Sequence, residues 1–379
     1  MTNPFVEELF RKEACFLTPV SRKKTLPDDP FHSVAVSSRI RLARNLKGRF
    51  FPARADDPSL QEFRETSLRA CRSAAKEMGF SPWECNIGEL SLSDREFLLE
   101  RHLISREFLS PRTGAALLAD PQYGTFVMLN EEDHLRLQTL GAGMCLRELW
   151  KRLNTLDDRI SARTEYAYDP SVGYLTTSPA NAGTGMHASL ILHLPGLTIS
   201  SQMQAVKNGA EKLSCSIRGF YGEGSNPEGN FYQLSRLGVT GETEENVLAS
   251  LERIAGRICE HEKKTRMYLL EHKRDFLLNY IGRSYALAKY SYILKWEDAV
   301  NSLSGILLGV NMGLFPSLQA KEIMTLLLLS GKAHLQKYKN TLLSGEELDT
   351  FRATFIRSRL QENSGRAASA RKNTKKKTP

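Results

Sequence analysis

The stretch "TFVMLNEEDHLRLQ" (residues 125–138) places two glutamates, an aspartate, a histidine and an arginine directly after an apolar run. Taken as an extended strand with a period of two, it has one face that stays apolar throughout. The other face begins with Phe126 and Met128 and then becomes polar or ionic, with Asn130, Glu132, His134 and Arg136. In isolation, this stretch is explained by a strand that leaves the core for a solvated turn. The rest of the chain has to show whether the charged residues instead form a functional site.

Three more candidate strands repeat the pattern of an apolar underside and a cationic or hydroxyl upper side. They are "VAVSSRIRLARN" (34–45), "MHASLILHL" (186–194) and "KLSCSIRGFYGEG" (212–224). Their polar faces carry Ser37, Arg39 and Arg41; His187, Ser189 and His193; and Ser214, Ser216 and Arg218. A half-solvated sheet explains any one of them. Four together favour a sheet face that binds a polyanion, because arginine neutralises phosphate bidentately.

The usual glycine-rich phosphate loops do not fit this sequence. GxxxxGK[ST] is absent. "GTGMHA" (183–188) matches the loose dinucleotide pattern, but no acidic residue follows it until Glu211, and a strand rather than a helix is predicted after it. Arginines that project from a sheet are therefore the better candidates for holding phosphate.

Composition and charge indicate a globular protein with a basic end. The chain has 379 residues, enough for two domains, with 41% apolar and 25% charged residues. Six of the nine net positive charges fall in the last sixteen residues, which leaves +3 for the remainder. That tail has no apolar side chain larger than alanine, so we expect disorder there, or a weak contact with nucleic acid or an acidic partner.

Cysteine usage and hydropathy favour a cytoplasmic protein. The six cysteines are scattered without a CxxC spacing, which argues against a zinc site or a disulfide framework. The N-terminal residues do not read as a signal peptide, and no stretch reads as a membrane span.

The change in residue pattern along the chain predicts four parts. Mixed strand and helix signals extend to about residue 245, and from Val247 onward apolar residues recur at helical spacing. The predicted parts are an N-terminal extension (1–30), a catalytic domain (31–250), a helical domain (251–362) and the disordered basic tail (363–379).

Four ordered segments carry a family resemblance. "SSRIRLARN" (37–45), "NEEDHLR" (130–136), "GYLTTSPANAGTGMHAS" (173–189) and "RGFYGEG" (218–224) resemble, in the same order, the signature segments of the phosphagen (guanidino) kinases. The overall pattern looks most like the bacterial protein-arginine kinases of the McsB type. The resemblance implies an α+β fold, with a largely antiparallel sheet flanked by helices, followed by an all-helical domain.

The resemblance also implies a chemistry, namely phosphoryl transfer from ATP, with Mg²⁺, to the guanidinium of an arginine side chain. It makes Glu132 and Glu223 the catalytic carboxylates, while Glu131 and Asp133 orient Mg²⁺-bound water without a direct metal ligand. The implied ATP-binding residues are Ser37, Ser38, Arg39, Ile40, Arg41, His102, Arg136, His187, Ala188, Ser189, Arg218, Gly219, Phe220, Tyr221 and Gly222.

Three positions depart from the family pattern. His187 stands where the family normally has arginine, and Ser178 stands where cysteine is usual. A neutral histidine contributes no charge, so we expect any help from His187 to require its protonated form. In the helical domain the phosphoarginine-receptor motif has Leu348 in place of its first arginine, whereas Asp349 and Arg352 are retained.

The implied partners are protein substrates that bear arginine, and an activator subunit, a stress regulator and a second copy of the chain are further expectations. Only 36 residues precede Ser37, so we expect no lobe that closes over a small acceptor. Two alternatives remain: a catalytically weakened homologue that acts as a phosphoarginine-binding adaptor, and a kinase for a free guanidino compound.

Overall fold

The computed structural model describes residues 3–12, 14, 31, 33–120, 122, 124–220, 228–237 and 241–375, with side chains described up to residue 361 except those at 180 and 237. The chain divides into two compact units. The first comprises Met1–Leu192, Gln204–Ile217 and Gln233–Glu260, and the second comprises His193–Met203, Arg218–Tyr232 and His261–Pro379. The boundary predicted near residue 250 lies close to Glu260, but two earlier segments also belong to the second unit.

One eight-stranded sheet dominates the strand content of the described residues. Its order is β2-β3-β4-β5-β1-β8-β10-β9, and a separate two-stranded sheet pairs β6 with β7. The strands are β1 (Ala35–Arg44), β2 (Trp83–Asn86), β3 (Ala116–Asp120), β4 (Thr125–Leu129), β5 (Leu135–Ala142), β6 (Tyr168–Asp169), β7 (Gly173–Tyr174), β8 (Met186–His193), β9 (Cys215–Gly219) and β10 (Phe231–Leu237). The pairs β1–β5, β1–β8, β2–β3, β3–β4 and β4–β5 are antiparallel. The predicted α+β class, with a largely antiparallel sheet, is confirmed.

Helices flank the sheet and make up most of the remaining chain. They are α1 (Pro4–Arg11), α2 (Asp57–Glu77), α3 (Leu92–Glu100), α4 (Leu146–Ser161), α5 (Pro195–Ile199), α6 (Met203–Glu211), α7 (Glu244–His272), α8 (Arg274–Tyr290), α9 (Trp296–Asn311), α10 (Ala320–Leu329), α11 (Lys332–Lys339) and α12 (Gly345–Lys375). No helix in the described part of the chain is long and apolar enough to cross a membrane.

The central strand β1 is fixed through its apolar face. Ile40 and Leu42 are fully buried on that face, as the alternation of the sequence predicts. Arg44 lies on the same face, where its guanidinium forms a buried ion pair with Asp157 of α4 at 2.7 Å. The hydroxyl of Tyr166 donates to the other oxygen of Asp157 at 2.9 Å. This satisfied network holds β1 against α4 and leaves the opposite face of β1 for the site.

The extended strand predicted across residues 125–138 is wrong in its middle. Strand β4 ends at Leu129, β5 begins at Leu135, and these two residues pair directly. Asn130 has φ of +54°, and its amide donates to the carbonyl of His134 at 3.0 Å, so the chain reverses there. Asparagine tolerates this left-handed conformation better than most residues. We call residues 130–134 the acceptor turn.

The second unit is mostly helical. Leu269, Leu277, Ile281 and Leu308 form one of its buried clusters, which joins α7, α8 and α9. Helix α12 continues to Lys375, whereas the sequence predicted a disordered tail from residue 363. Alanine, arginine and lysine have high helix propensity, so helical backbone is compatible with that composition.

Candidate active site

Three arginines lie on one face of the sheet. Directly opposed residues in antiparallel strands project to the same side, and Arg41 is opposite both Gln138 of β5 and His187 of β8. Arg39 is opposite Ser189. Arg136 lies two residues before Gln138 and therefore shares its face. We call this surface the arginine face; its members are Arg39, Arg41, Arg136, Gln138, His187 and Ser189. The register places Arg39, Arg41, Arg136, His187 and Ser189 on one face, as the alternation predicts. Their roles in nucleotide binding stay a prediction.

The positive charges on the arginine face are crowded and partly buried, which lowers the pKa values of two of its arginines. Burial, followed by the nearby Arg136, lowers the pKa of Arg39 to about 10. Burial also lowers the pKa of Arg41, and repulsion from Arg39 and Arg136 adds to the effect. Within the described residues, Arg41 Nε and Ser189 Oγ are buried without a hydrogen-bond partner. Such crowded cations with unused donors fit a polyphosphate ligand.

His187 contacts Arg41 through a ring nitrogen. Arg41 Nη2 lies 2.8 Å from His187 Nδ1. A guanidinium can only donate, so Nδ1 must accept and His187 must be neutral in this arrangement. Protonation of Nδ1 would remove this hydrogen bond, which argues against the expectation that His187 helps in its protonated form; that expectation stays a prediction for the nucleotide-bound protein. The neutral ring instead orients Arg41.

The acceptor turn is anchored through Asp133. Asp133 Oδ1 accepts hydrogen bonds from Asn45 Nδ2 at 2.6 Å and from the Thr177 amide at 2.7 Å. The Thr177 hydroxyl donates to the carbonyl of Glu132 at 2.9 Å. These contacts join the acceptor turn to the segment after β1 and to the segment before β8. Three of the four segments that carry the resemblance thus meet in the first unit.

The two glutamates of the acceptor turn have different surroundings. Glu131 is buried and forms an ion pair with Arg136 of the arginine face. Glu132 is half-exposed, and within the described residues its carboxylate makes no hydrogen bond or ion pair. Burial, followed by repulsion from Asp133, raises the pKa of Glu132. Glu132 is therefore the carboxylate of the turn that is available to another molecule.

Some predicted ATP-binding residues project away from the arginine face. Ser38 Oγ donates to the carbonyl of Gly143 at 2.7 Å and accepts from the amide of Cys145 at 3.0 Å. Ile40 and Ala188 are fully buried in the core. Their side chains hold the sheet together, so any contact from them to a nucleotide would involve backbone atoms. Ser37 alternates with Arg39 and is buried.

His102 and Glu107 approach the arginine face from the segment after α3. The carbonyl of His102 accepts from Gln138 Nε2 at 2.9 Å. Burial raises the pKa of Glu107, but hydrogen bonds, including one with Glu131, and the charge of Arg136 outweigh burial, so the net shift is downward. Nothing in the local sequence pattern around Glu107 marks it as a neighbour of Glu131, so it was not predicted as a site residue.

The "RGFYGEG" segment is described only in part. Arg218 and Gly219 end β9, Arg218 is exposed, and the amide of Phe220 donates to the carbonyl of Phe231 at 2.9 Å. These residues belong to the second unit. Tyr221, Gly222 and Glu223 lie outside the described residues, so the second catalytic carboxylate stays a prediction.

Arg352 of the degenerate receptor motif is buried in the second unit. Its Nε donates to the carbonyl of Ser330 at 3.0 Å, and its Nη1 donates to the carbonyl of Leu294 at 3.0 Å and pairs with Asp349. These contacts attach α12 to the end of α10 and to the loop before α9. A guanidinium used in this way holds the helices together, and the structure gives it no accessible phosphate-binding geometry.

Comparison with known families agrees with this geometry. The model of the ATP:guanido phosphotransferase C-terminal catalytic domain matches residues 72–265, about half of the chain. The chain belongs to the ATP:guanido phosphotransferase family. A second model, the C-terminal domain of the protein-arginine kinase McsB, matches residues 274–376.

Curated relatives named protein-arginine kinase cover most of the chain. One from Syntrophomonas wolfei is 37% identical over 333 residues, covering 86% of this chain and 92% of the relative. One from Halothermothrix orenii is 34% identical over 331 residues, covering 87% and 94%. One from Bacillus cereus is 35% identical over 335 residues, covering 88% and 94%.

Solved structures share the fold at lower identity. A duplicated taurocyamine kinase from Schistosoma mansoni, with transition-state analogue components, has a TM-score of 0.56 at 21% identity and covers 70% of this chain and 39% of its own. A lombricine kinase has a TM-score of 0.53 at 20% identity and covers 65% and 71%. These likenesses identify the guanidino-kinase fold.

Proposed function

We propose that this protein transfers the γ-phosphoryl group of ATP to arginine side chains of proteins. The observation that carries the proposal is the arginine face next to Glu132. Three arginines and an unused buried hydroxyl, that of Ser189, offer sites for phosphate, and the acceptor turn presents a carboxylate beside them. The protein-arginine kinases that cover most of this chain favour protein arginine over a free guanidino compound as acceptor.

The arginine face would hold the phosphates of the nucleotide. ATP supplies the phosphoryl group, and in-line transfer depends mainly on positioning and on neutralisation of the phosphate oxygens. Arg39, Arg41 and Arg136 would each donate to these oxygens, and a bound anion would relieve the repulsion that lowers the pKa values of Arg39 and Arg41. His187 orients Arg41 for this contact. By the resemblance, Arg218 would also donate to the phosphate oxygens.

Carboxylates near the acceptor turn fit a magnesium ion held through water. Mg²⁺ prefers oxygen ligands and keeps several of its waters. Glu131 is buried next to Arg136, and both hydrogen bonds that anchor Asp133 go to Oδ1. In the described residues no group of three or more His, Cys, Asp and Glu side chains could bind a metal directly. By the resemblance, Glu131 and Asp133 would orient Mg²⁺-bound water, and the oxygen of Asp133 that does not anchor the turn fits this role.

Glu132 would act on the acceptor guanidinium. A protonated guanidinium is a poor nucleophile, because its pKa lies above 12. A carboxylate hydrogen-bonded to it orients the attacking nitrogen and accepts a proton as the P–N bond forms and the bond from the γ-phosphorus to the bridging oxygen breaks, which releases ADP. The raised pKa of Glu132 makes its carboxylate a stronger base than an ordinary glutamate. Glu223 would be the second carboxylate by resemblance.

The test is incubation with ATP and an arginine-rich protein, followed by measurement of acid-labile phosphate on that protein. The matched control is the same acceptor after its guanidinium groups have been blocked with phenylglyoxal. We expect acid-labile phosphate on the untreated acceptor alone. Equal phosphate on both acceptors, or acid-stable phosphate only, would contradict transfer to arginine.

We also propose a homodimer that forms through the second unit. Helix α8 exposes Phe276, Leu287 and Tyr290, whose spacing places them along one side of the helix. Exposed apolar side chains in such a row are typical of an interface. Leu287→Arg should convert a dimer to a monomer in sedimentation velocity, and a monomeric wild type would refute this part of the proposal.

A further inference from the structure

A cationic cavity of ≈ 590 Å³ lies beside the acceptor turn in the first unit. The segment after β1 and the start of α2 form its walls, and His134 contributes to its lining. Lys47, Arg49 and Arg54 line it, against a single acidic residue, Asp56. The carboxylate of Asp56 already caps α2 by accepting from the amide of Ser59 at 3.0 Å.

The cavity is fixed relative to the acceptor turn. The amide of Leu46 donates to His134 Nδ1 at 3.3 Å, and the His134 ring packs on Phe63 with ring centroids 4.5 Å apart. Burial lowers the pKa of His134 to about 4, so this ring stays neutral at physiological pH. His134 follows Glu132 by two residues, and two residues span at most about 7 Å of chain. A peptide that presents an arginine to Glu132 therefore passes close to the cavity.

The cations of the cavity are accessible to an outside carboxylate. Arg49 pairs with Glu62 at 2.8 Å and Lys47 pairs with Glu165 at 3.3 Å, and all four side chains are at least one-third exposed. Such exposed ion pairs contribute little to stability, so another carboxylate can readily replace one partner. Arg54 is exposed, and within the described residues its side chain makes no ion pair.

We propose that this cavity binds an acidic side chain of the acceptor protein, located within about three residues of the arginine that reaches Glu132. Three residues of extended chain cover about 10 Å, and His134, which lines the cavity, is only two residues from Glu132. The inference rests on the proposed function. It assigns to Lys47, Arg49 and Arg54 the selection of arginines that have an aspartate or glutamate nearby.

The test compares two peptides, each with one arginine, whose flanking residues are glutamate in one and glutamine in the other. For the wild-type protein we expect a lower KM for the acidic peptide and a similar kcat, with an advantage that shrinks as salt is raised. The double variant Lys47→Gln with Arg54→Gln should remove that advantage. Each lost cation should raise the KM for the acidic peptide by up to about fivefold, and the KM for ATP should not change. Arg69→Gln, an exposed arginine of α2 outside the cavity, is the matched control.

Binding measured without turnover separates this inference from the proposed function. A fluorescent acidic peptide with citrulline in place of arginine cannot be phosphorylated, and fluorescence anisotropy reports its affinity. We expect Lys47→Gln with Arg54→Gln to weaken binding and Arg69→Gln to leave it unchanged. Binding without phosphorylation of any arginine peptide would refute the proposed function alone. Equal affinity for the wild type and the double variant, or equal KM for the two arginine peptides, would overturn the inference.

Discussion

His187→Ala should reduce phosphoryl transfer because it removes the acceptor that orients Arg41. The contact between Arg41 Nη2 and His187 Nδ1 is 2.8 Å long and involves a charged donor. A hydrogen bond to a charged group contributes about 1.5–3 kcal/mol, which corresponds to roughly 10- to 150-fold in kcat/KM if Arg41 acts on the phosphates. His187→Asn places Oδ1 at the branch position of Nδ1, so it should retain most of the activity.

The pH dependence of the ratio between the wild type and His187→Asn isolates the ring. Protonation of His187 converts Nδ1 to a donor and adds a cation beside Arg39, Arg41 and Arg136, with Glu131 and Glu107 as the nearby acids. The contribution of His187 is therefore present at higher pH and is lost as pH falls. Asparagine does not titrate, so the activity ratio should fall toward acidic pH, while the contribution of Glu132 cancels in the ratio.

Steady-state kinetics of the purified variants across pH provide the measurement. A ratio that is independent of pH would refute the neutral role of His187. So would a large loss in His187→Asn together with a gain in His187→Arg, because that pair of results would show that His187 contacts phosphate directly.

Two further predictions concern buried arginines. Asp157→Ala leaves Arg44 buried without its partner, so chemical denaturation should show that the free energy of unfolding falls by about 3–5 kcal/mol. The control Arg147→Ala removes an exposed pair with Glu252 and should lower it by at most about 1 kcal/mol. Equal losses would contradict the structural role of the Arg44–Asp157 pair. Arg352→Leu should lower the free energy of unfolding by more than about 2 kcal/mol, because it leaves two buried carbonyls without donors, and it should not affect affinity for phosphoarginine; unchanged stability with lost affinity would instead favour a receptor role.

The alternation of the sequence predicts the arginine face well. The period of two in β1 and β8 places Arg39, Arg41, His187 and Ser189 on one side, and the observed register confirms it. This succeeds because one side of each strand is apolar and must be buried, so a shift by one residue would expose the core. The same alternation cannot distinguish a strand from a short hairpin turn, which is why residues 130–134 were assigned incorrectly.

Contacts between distant segments could not be derived from local pattern. Glu107 approaches Glu131 across 24 positions of sequence, and the partner of His187 lies on another strand. Arg44 lies on the face opposite Arg39 and Arg41, and its partner Asp157 is 113 residues away in sequence. Arg352 reads as a phosphate ligand, whereas the fold uses it to hold carbonyls. In each case the role of the guanidinium depends on which acceptors the tertiary structure brings to it.

The most direct test of the central claim is tandem mass spectrometry of an acceptor protein after incubation with ATP, with sample handling at neutral to basic pH to preserve the P–N bond. Wild-type protein and Glu132→Gln are compared, and the affinity of each for ATP is measured by titration. We predict phosphate localised on arginine residues with the wild type, none with Glu132→Gln, and similar ATP affinity for both, because Glu132 acts on the acceptor in the transition state. Phosphate on serine, threonine or tyrosine alone, or undiminished arginine phosphorylation by Glu132→Gln, would contradict the account.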